Sequence, residues 1–275
     1  MMLFKTVFSY QGVRLGWRSS GEITLSGTVA TKLLGAGGAG GIALTVWALR
    51  AAGHSALTIA HRMTSFEMIL YSVFMSALIV FGGGVAVGVL PGPQKPALTV
   101  LPAAIGAGVI VLVVAVGYAA EGVRRGLLTL ARRSRRRRVL FENLSNVPQT
   151  LHDGLRHTWE ILRQPRLGHG GAIVYWAFDI ATLWAAFRAF GAAPQISVVV
   201  LAYFIGQMAS LLPIPGGIGS IEGGMLGVFI AFGVSASTAA LAVIAYSLIS
   251  IWLPVLPGSV AYFRLRAAVS GWREE

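Results

Sequence analysis

The chain has 275 residues, 55% of them hydrophobic and 12% charged, with a mean hydropathy of +0.72 and a net charge of +12. This composition excludes an ordinary soluble domain and predicts an all-α polytopic membrane protein. The lack of cysteine excludes disulfides, thiolate metal sites and cysteine nucleophiles, and the clustering of the arginines fits membrane topology rather than nucleic-acid binding.

Residues 1–20 mix apolar side chains with Lys5, Arg14 and Arg18. They predict an interfacial cytoplasmic helix and lack the long apolar core of a cleavable signal peptide. Residues 22–49 are apolar at both ends and interrupted by Gly35-Ala36-Gly37-Gly38-Ala39-Gly40-Gly41. Five glycines in seven positions severely weaken a lone spanning helix, so this stretch predicts a re-entrant hairpin. A glycine-rich helix packed closely on a neighbour is the competing interpretation. Residues 66–90 predict a span with Glu67 at its start. The rigid turn Pro91-Gly92-Pro93-Gln94-Lys95-Pro96 follows, then a further span over 98–120.

Residues 121–166 hold eleven arginines against four acids, including the run Arg135-Arg136-Arg137-Arg138. The positive-inside rule makes this loop cytoplasmic. The run either binds anionic headgroups or only fixes topology. Within the loop, 139–162 has apolar residues at near-helical spacing, which predicts an amphipathic helix on the membrane surface. Residues 171–190 predict an outward span, and Gly191-Ala192-Ala193-Pro194 an extracytoplasmic turn.

The apolar region that follows contains Leu211-Leu212-Pro213-Ile214-Pro215-Gly216-Gly217-Ile218-Gly219-Ser220-Ile221-Glu222. Pro213 and Pro215 each remove a backbone donor and push the preceding residue toward extended geometry. Gly216, Gly217 and Gly219 permit tight bends. At bilayer depth, freed backbone groups are tolerated only where protein or a water-filled cavity satisfies them. A second re-entrant pair is therefore predicted, with 195–212 dipping in and 218–232 returning. The roughly 38 residues involved barely suffice for two complete crossings. Glu222 falls where the returning helix starts, so its carboxylate can meet the positive helix end or a cationic group. Residues 236–263 then cross inward and end in Arg264 and Arg266.

The two broken stretches echo each other. Gly37-Gly38-Ala39-Gly40 aligns with Gly216-Gly217-Ile218-Gly219, and Gly53-His54-Ser55 with Gly233-Val234-Ser235, the offset changing by one residue. With three complete spans between them, the first hairpin opens from the cytoplasm and the second from outside. That is an inverted repeat with two broken, re-entrant helical hairpins, an architecture that places a transport site near the midplane. The chain is then a single transmembrane domain of the plasma membrane. It divides into a first repeat with its spans (1–120), an arginine-rich cytoplasmic loop (121–170), a second repeat (171–263) and a cytoplasmic tail (264–275).

Asp179 lies mid-span in Trp176-Ala177-Phe178-Asp179-Ile180. A carboxylate there costs about 2.5–3.5 kcal/mol on insertion scales, so it should face a lipid amine, a buried base or a hydrogen-bonding helix. Lys32 precedes the first glycine tract and either snorkels toward the cytoplasm or meets a lipid phosphate or an acid such as Glu222. Arg62 and Glu67 flank the entry of a span, as a headgroup clamp or as anchors. The five histidines show no metal-ligand pattern. No nucleotide, cofactor or catalytic motif is visible, so neither an enzyme nor a cofactor is expected.

The run from Pro213 to Glu222, followed by Gly233 and Ile251-Trp252-Leu253-Pro254, resembles the C-terminal signature of the lysylphosphatidylglycerol synthase transmembrane-region family, a group of flippase-like membrane proteins. The glycine tract, Leu49-Arg50-Ala51-Ala52-Gly53 and Arg62 resemble its N-terminal half, so the likeness covers roughly 12–263. In bifunctional relatives the membrane part is credited with moving aminoacylated lipid between leaflets, and a separate soluble domain makes that lipid from aminoacyl-tRNA. The cytoplasmic loop here, about 45 residues, has no room for such a domain.

Three departures stand out. The chain looks one or two N-terminal spans short, Gly35-Ala36 stands where many relatives have proline, and Ser247 stands where an arginine is common. The resemblance implies a translocator of a phospholipid or polyprenyl-linked lipid. Its headgroup would be met by Glu222, Asp179, Pro213, Pro215, Gly216, Gly217, Gly219, Gly37, Gly38, Gly40 and Arg62. The alternative is a non-transporting membrane partner that regulates or scaffolds a lipid-modifying enzyme through the arginine-rich loop. Membrane lipids are the expected partners, and homo-oligomerisation is left open.

Overall fold

The computed structural model describes residues 1–9, 16–34, 39–133, 147–163, 167–209 and 219–272, which contain helices and no strand. Among the described residues, four helical stretches are long and apolar enough to cross a bilayer: Ala56–Ala86, Val100–Tyr118, Gly171–Ala189 and Ala236–Val269. Large apolar side chains cover their outer faces, among them Val111, Leu112, Phe178, Ile244 and Leu256. Such continuous apolar exposure suits lipid and not water. The protein is an all-α polytopic membrane protein.

Helix α1 (Met2–Phe8) buries Leu3, Phe4, Val7 and Phe8. They pack with Ile23, Leu49, Ile59, Ile161 and Leu265 in one of two apolar cores. The expected interfacial helix is thus a plug at one end of the bundle, because its apolar face meets protein. Helix α2 (Trp17–Leu34) and helix α3 (Ala39–Ala51) run antiparallel. Gly41 faces Thr31 and Gly27, and a Cβ on it would stand 2.7 Å from the Gly27 carbonyl oxygen. Gly40 and Gly41 are therefore helical and buried, serving close packing. Gly37 and Gly38 lie outside the described residues.

Helix α4 (Ala56–Ala77) continues through a π-helical turn, Leu78–Gly82, into the short α5 (Gly83–Ala86). The span expected at 66–90 starts ten residues earlier, so Glu67 lies inside the helix and not at its start. The cap decides this: Ser55 Oγ accepts from the Thr58 amide at 3.1 Å. Helices α6 (Val100–Tyr118), α7 (Ala120–Arg133) and α8 (Val147–Leu162) follow. The amphipathic helix expected over 139–162 thus begins at Val147 among the described residues. It docks on protein as well as facing outward. Gly154 sits against Thr64 and Met68 of α4, and His152 Nδ1 lies 2.8 Å from the Gly117 carbonyl oxygen on α6.

A 3-10 turn, Leu167–Gly170, leads into α9 (Gly171–Ala189). Helices α10 (Ile196–Met208) and α11 (Ser220–Ala231) come next. At 13 and 12 residues they are about 20 and 18 Å long, well short of a hydrocarbon core of about 30 Å. They pack antiparallel through glycine. A Cβ on Gly206 would lie 2.9 Å from the Met225 nitrogen, and one on Gly224 would lie 3.0 Å from Ala209 Cβ. Helix α10 is buried all round, from Ser197 through Phe204, as expected of a helix inside the protein rather than at its lipid face. Helix α12 (Ala236–Trp272) runs past its expected end at 263, with Pro254 and Pro257 inside it, so Arg264 and Arg266 are helical.

Helices α3 and α11 end in matching turns. The His54 amide donates to the Leu49 carbonyl at 3.1 Å, and the Val234 amide to Phe229 at 3.0 Å. Gly53 and Gly233 take φ of +81° and +94°, the left-handed cap that glycine adopts without Cβ strain. Ser55 then caps α4, and Ser235 caps α12 through the Thr238 amide at 3.4 Å. The two turns lie at opposite ends of the bundle. The first leads into the part of α4 where the Arg62 guanidinium donates to the Phe8 carbonyl of α1. The second follows Ala231, whose carbonyl accepts from Lys95 Nζ at 2.5 Å, beside the contact of Ser197 Oγ with the Pro91 carbonyl.

Candidate functional site: a polar turn of helix α12

Helix α12 is apolar over most of its length, but Tyr246, Ser247 and Ser250 fall within one turn of it. Positions i and i+4 share a helix face, so Tyr246 and Ser250 stand one above the other. Pro254 cannot donate to the Ser250 carbonyl four residues before it, which adds a main-chain acceptor at the same level.

Four elements bring polar groups to this turn. From α9, Asp179 Oδ2 accepts from Tyr246 Oη at 3.0 Å and from Tyr203 Oη of α10 at 2.5 Å. From α11, Glu222 Oε1 accepts from Ser247 Oγ at 3.0 Å. From α2, Lys32 Nζ donates to Ser250 Oγ at 3.4 Å. Glu222 Oε2 also accepts from the Gly219 amide at 3.0 Å. It thereby satisfies one of the amides left over at the start of α11, where Gly219 takes φ of +89°. Among the described residues neither carboxylate has an ion-pair partner, and Lys32 has no acid.

Lys32 lies near the end of α2, and Glu222 near the start of α11. Both therefore lie on the inner, tip-side ends of their antiparallel pairs. Helix α2 starts beside α1, where Lys5 lies over the Trp17 ring, and α10 starts beside Pro91. Lys32 and Glu222 both bond side chains of one turn of α12.

Asp179 and Glu222, both singled out from the sequence, are thus brought together on adjacent α12 residues. Arg62 is held elsewhere: it is buried, with its guanidinium on the Phe8 carbonyl, in the core around α1. Gly40 lies in the first turn of α3, and Gly219 caps α11. Pro213, Pro215, Gly216, Gly217, Gly37, Gly38 and Arg135-Arg136-Arg137-Arg138 lie outside the described residues. Sequence inspection passed over Tyr203, Tyr246 and Ser250, and noted Ser247 only as a departure. Their signal was present: isolated hydroxyl groups in otherwise apolar segments need a partner at depth.

Lipid-facing spans around shorter helices, with two carboxylates and an ammonium half-buried on one turn of α12, define a polytopic membrane protein with a polar centre. The chain belongs to the family of the lysylphosphatidylglycerol synthase transmembrane region, whose profile matches residues 1–258. Curated relatives from Methanothermobacter thermautotrophicus, each named UPF0104 membrane protein, match shorter segments. One is 29% identical over 90 residues, covering 32% of this chain and 27% of the relative. Another is 34% identical over 87 residues, covering 31% and 25%. A third is 28% identical over 95 residues, covering 34% and 28%. The matched part of this chain thus spans about a quarter of each relative's length. No solved structure matches.

Proposed function

We propose that the protein moves a lipid between the leaflets of the plasma membrane, its headgroup passing through the polar centre on α12. The observation that carries this is the convergence of three charged groups from three other helices on one turn of α12: Lys32 of α2 on Ser250, Glu222 of α11 on Ser247 and Asp179 of α9 on Tyr246. Paired broken helices of opposite orientation place a substrate site near the midplane. The matching glycine turns at Gly53 and Gly233 support an inverted repeat. The arginine-rich loop and the C-terminus face the cytoplasm in this arrangement.

Ionisable groups persist at membrane depth where function uses them. Asp179 and Glu222 offer negative charge to an amine-bearing headgroup, and Lys32 offers positive charge to its phosphate. The substrate is a phospholipid or polyprenyl-linked lipid. Among the described residues their side-chain partners are hydroxyl groups rather than ions, so the three groups can exchange them for headgroup contacts.

The test is scrambling of a fluorescent phospholipid in proteoliposomes. Glu222→Gln keeps an acceptor for the Gly219 amide and removes the charge. It should slow lipid movement at least about tenfold, the effect of about 1.4 kcal/mol on a barrier. A folded Glu222→Gln protein that scrambles at the wild-type rate would overturn the proposal.

A further inference from the structure

The four spanning stretches contain two carboxylates, Asp179 and Glu67. Asp179 accepts from two tyrosine hydroxyls in the polar centre. Glu67 does not belong to that centre. It sits half-buried on α4, within Ala56–Ala86. Among the described residues no group donates a hydrogen bond to its carboxylate and no cation pairs with it. A carboxylate at membrane depth needs a partner, and for Glu67 the protein supplies none.

Helices α4 and α9 both lead away from α1. Phe66 of α4 packs edge-on against Phe4, with ring centroids 5.9 Å apart, and Gly171 of α9 lies against Leu3. Further in, Trp176 Nε1 of α9 donates to the Leu70 carbonyl of α4 at 3.0 Å, and the Trp176 ring meets Phe74 at 5.6 Å. Glu67 lies three residues to the α1 side of this contact and Asp179 three residues beyond it. The two carboxylates are therefore about 9 Å apart along the axis, at 1.5 Å per residue. Tyr71 shares a face of α4 with Glu67, and Tyr175 a face of α9 with Asp179, each four positions apart. The Tyr71 ring lies 6.2 Å from Phe74, and the Tyr175 ring 5.0 Å from Trp176. Both tyrosines are half exposed, at 50% and 49%. The seam between α4 and α9 thus carries two outward phenols between an inner and an outer carboxylate.

We propose that this seam is the entrance by which an amine-bearing lipid headgroup leaves the leaflet at the α1 end, and that Glu67 is its first binding group. Its destination, Asp179, rests on the translocator reading. A lipid ammonium on Glu67 supplies the absent counter-charge through a charge-assisted hydrogen bond. The two phenols offer hydroxyl groups to the headgroup and ring faces to the acyl chains. An interfacial aromatic belt accounts for the two tyrosines but not for a carboxylate without a partner. The occupant is a lipid rather than a soluble amine, because the seam opens beside lipid-facing residues: Ile173, Val174 and Phe178 are exposed on the same stretch of α9 as Tyr175.

The experiment replaces Tyr71 with the photoreactive p-benzoylphenylalanine in the full chain. The reference is the same replacement at Val111, on the lipid-facing side of α6. Each protein is illuminated in nanodiscs of equal phosphatidylethanolamine and phosphatidylglycerol, and the lipid adducts are weighed by mass spectrometry. The ratio of phosphatidylethanolamine to phosphatidylglycerol adducts should be about tenfold higher at position 71 than at 111, the ratio that about 1.4 kcal/mol of binding produces. Glu67→Gln should bring the ratio at 71 down to that at 111. Equal ratios at the two positions overturn the entrance, and so does a high ratio at 71 that Glu67→Gln leaves unchanged. The comparison of 71 with 111 keeps Glu67 in place, so it decides even if Glu67→Gln fails to fold. No lipid movement is measured. Enrichment without scrambling leaves the entrance standing and removes the translocator, and scrambling without enrichment does the reverse.

Discussion

Gly206 illustrates how much one hydrogen atom decides at the residue scale. A Cβ there would lie 2.9 Å from the Met225 nitrogen and 3.2 Å from the Ile221 carbonyl oxygen, both backbone atoms of α11 that cannot swing aside. Gly206→Ala should therefore destabilise by about 1–3 kcal/mol through overpacking. Gly227 lies one helical turn beyond Gly223 on the same α11, and a Cβ added to it would meet nothing within 4 Å. Gly227→Ala should be neutral or stabilise by up to about 1 kcal/mol, since glycine is the poorer helix residue. Thermal unfolding in detergent measures both, and equal effects would contradict the packing assigned to α10 and α11. Glu222 carries two roles at this scale. It caps α11 through Gly219 and it bonds Ser247, so its removal by Ala tests stability, whereas Gln tests charge.

At the scale of elements, α3 and α11 stop in the same way although their sequences differ. Gly53 and Gly233 both sit in the left-handed region, and the amide after each reaches back to close the helix. Alanine at either position must enter that region, at about 1–2 kcal/mol. Gly53→Ala and Gly233→Ala should lower stability by similar amounts, read as shifts in melting temperature. A harmless Gly233→Ala beside a damaging Gly53→Ala would show that the two turns are not equivalent. The helix pairs differ more. Helix α2 has 18 residues and carries Lys32, whereas α10 has 13 and no charged residue. The pairs are matched in their turns and unequal in their length and polarity.

The whole molecule is described by which end each turn occupies. The turn before α4 lies with α1, and the turn before α12 lies with Lys95 and Pro91. In a bilayer the two should face opposite sides. The chain has no cysteine, so single cysteines can be placed without background. Leu57→Cys and Ser237→Cys, one near each turn, should react with a membrane-impermeant maleimide from opposite faces of intact cells, Ser237→Cys from outside. Labelling of both from one face would remove the inverted arrangement and, with it, the midplane site.

Much of this was legible from sequence for a simple reason: lipid tolerates few backbone solutions. Apolar length marked α6 and α9 nearly to the residue, and the Pro/Gly run separated α10 from α11. Asp179 stood out because a carboxylate in an apolar span needs a partner, and Glu222 because it follows the Pro/Gly break at a helix start. Helix ends were less legible. Ser55 started α4 ten residues before the hydrophobic run, and two prolines failed to end α12. Composition along one segment also cannot say what lies beside it. Helix α1 read as a surface helix and buries its apolar face in the bundle, and helix α8 docks one face on α4 and α6 while the other faces outward. Tertiary packing chose the partners. The distance between Lys32 and Ser250 spans 218 positions of chain, and no local pattern encodes which hydroxyl an ammonium will find. The order of residues alone required that buried polar groups exist and be paired. The packing of helices far apart in the sequence put those pairings on a single turn of α12, because contact depends on how helices cross and not on where their residues fall along the chain.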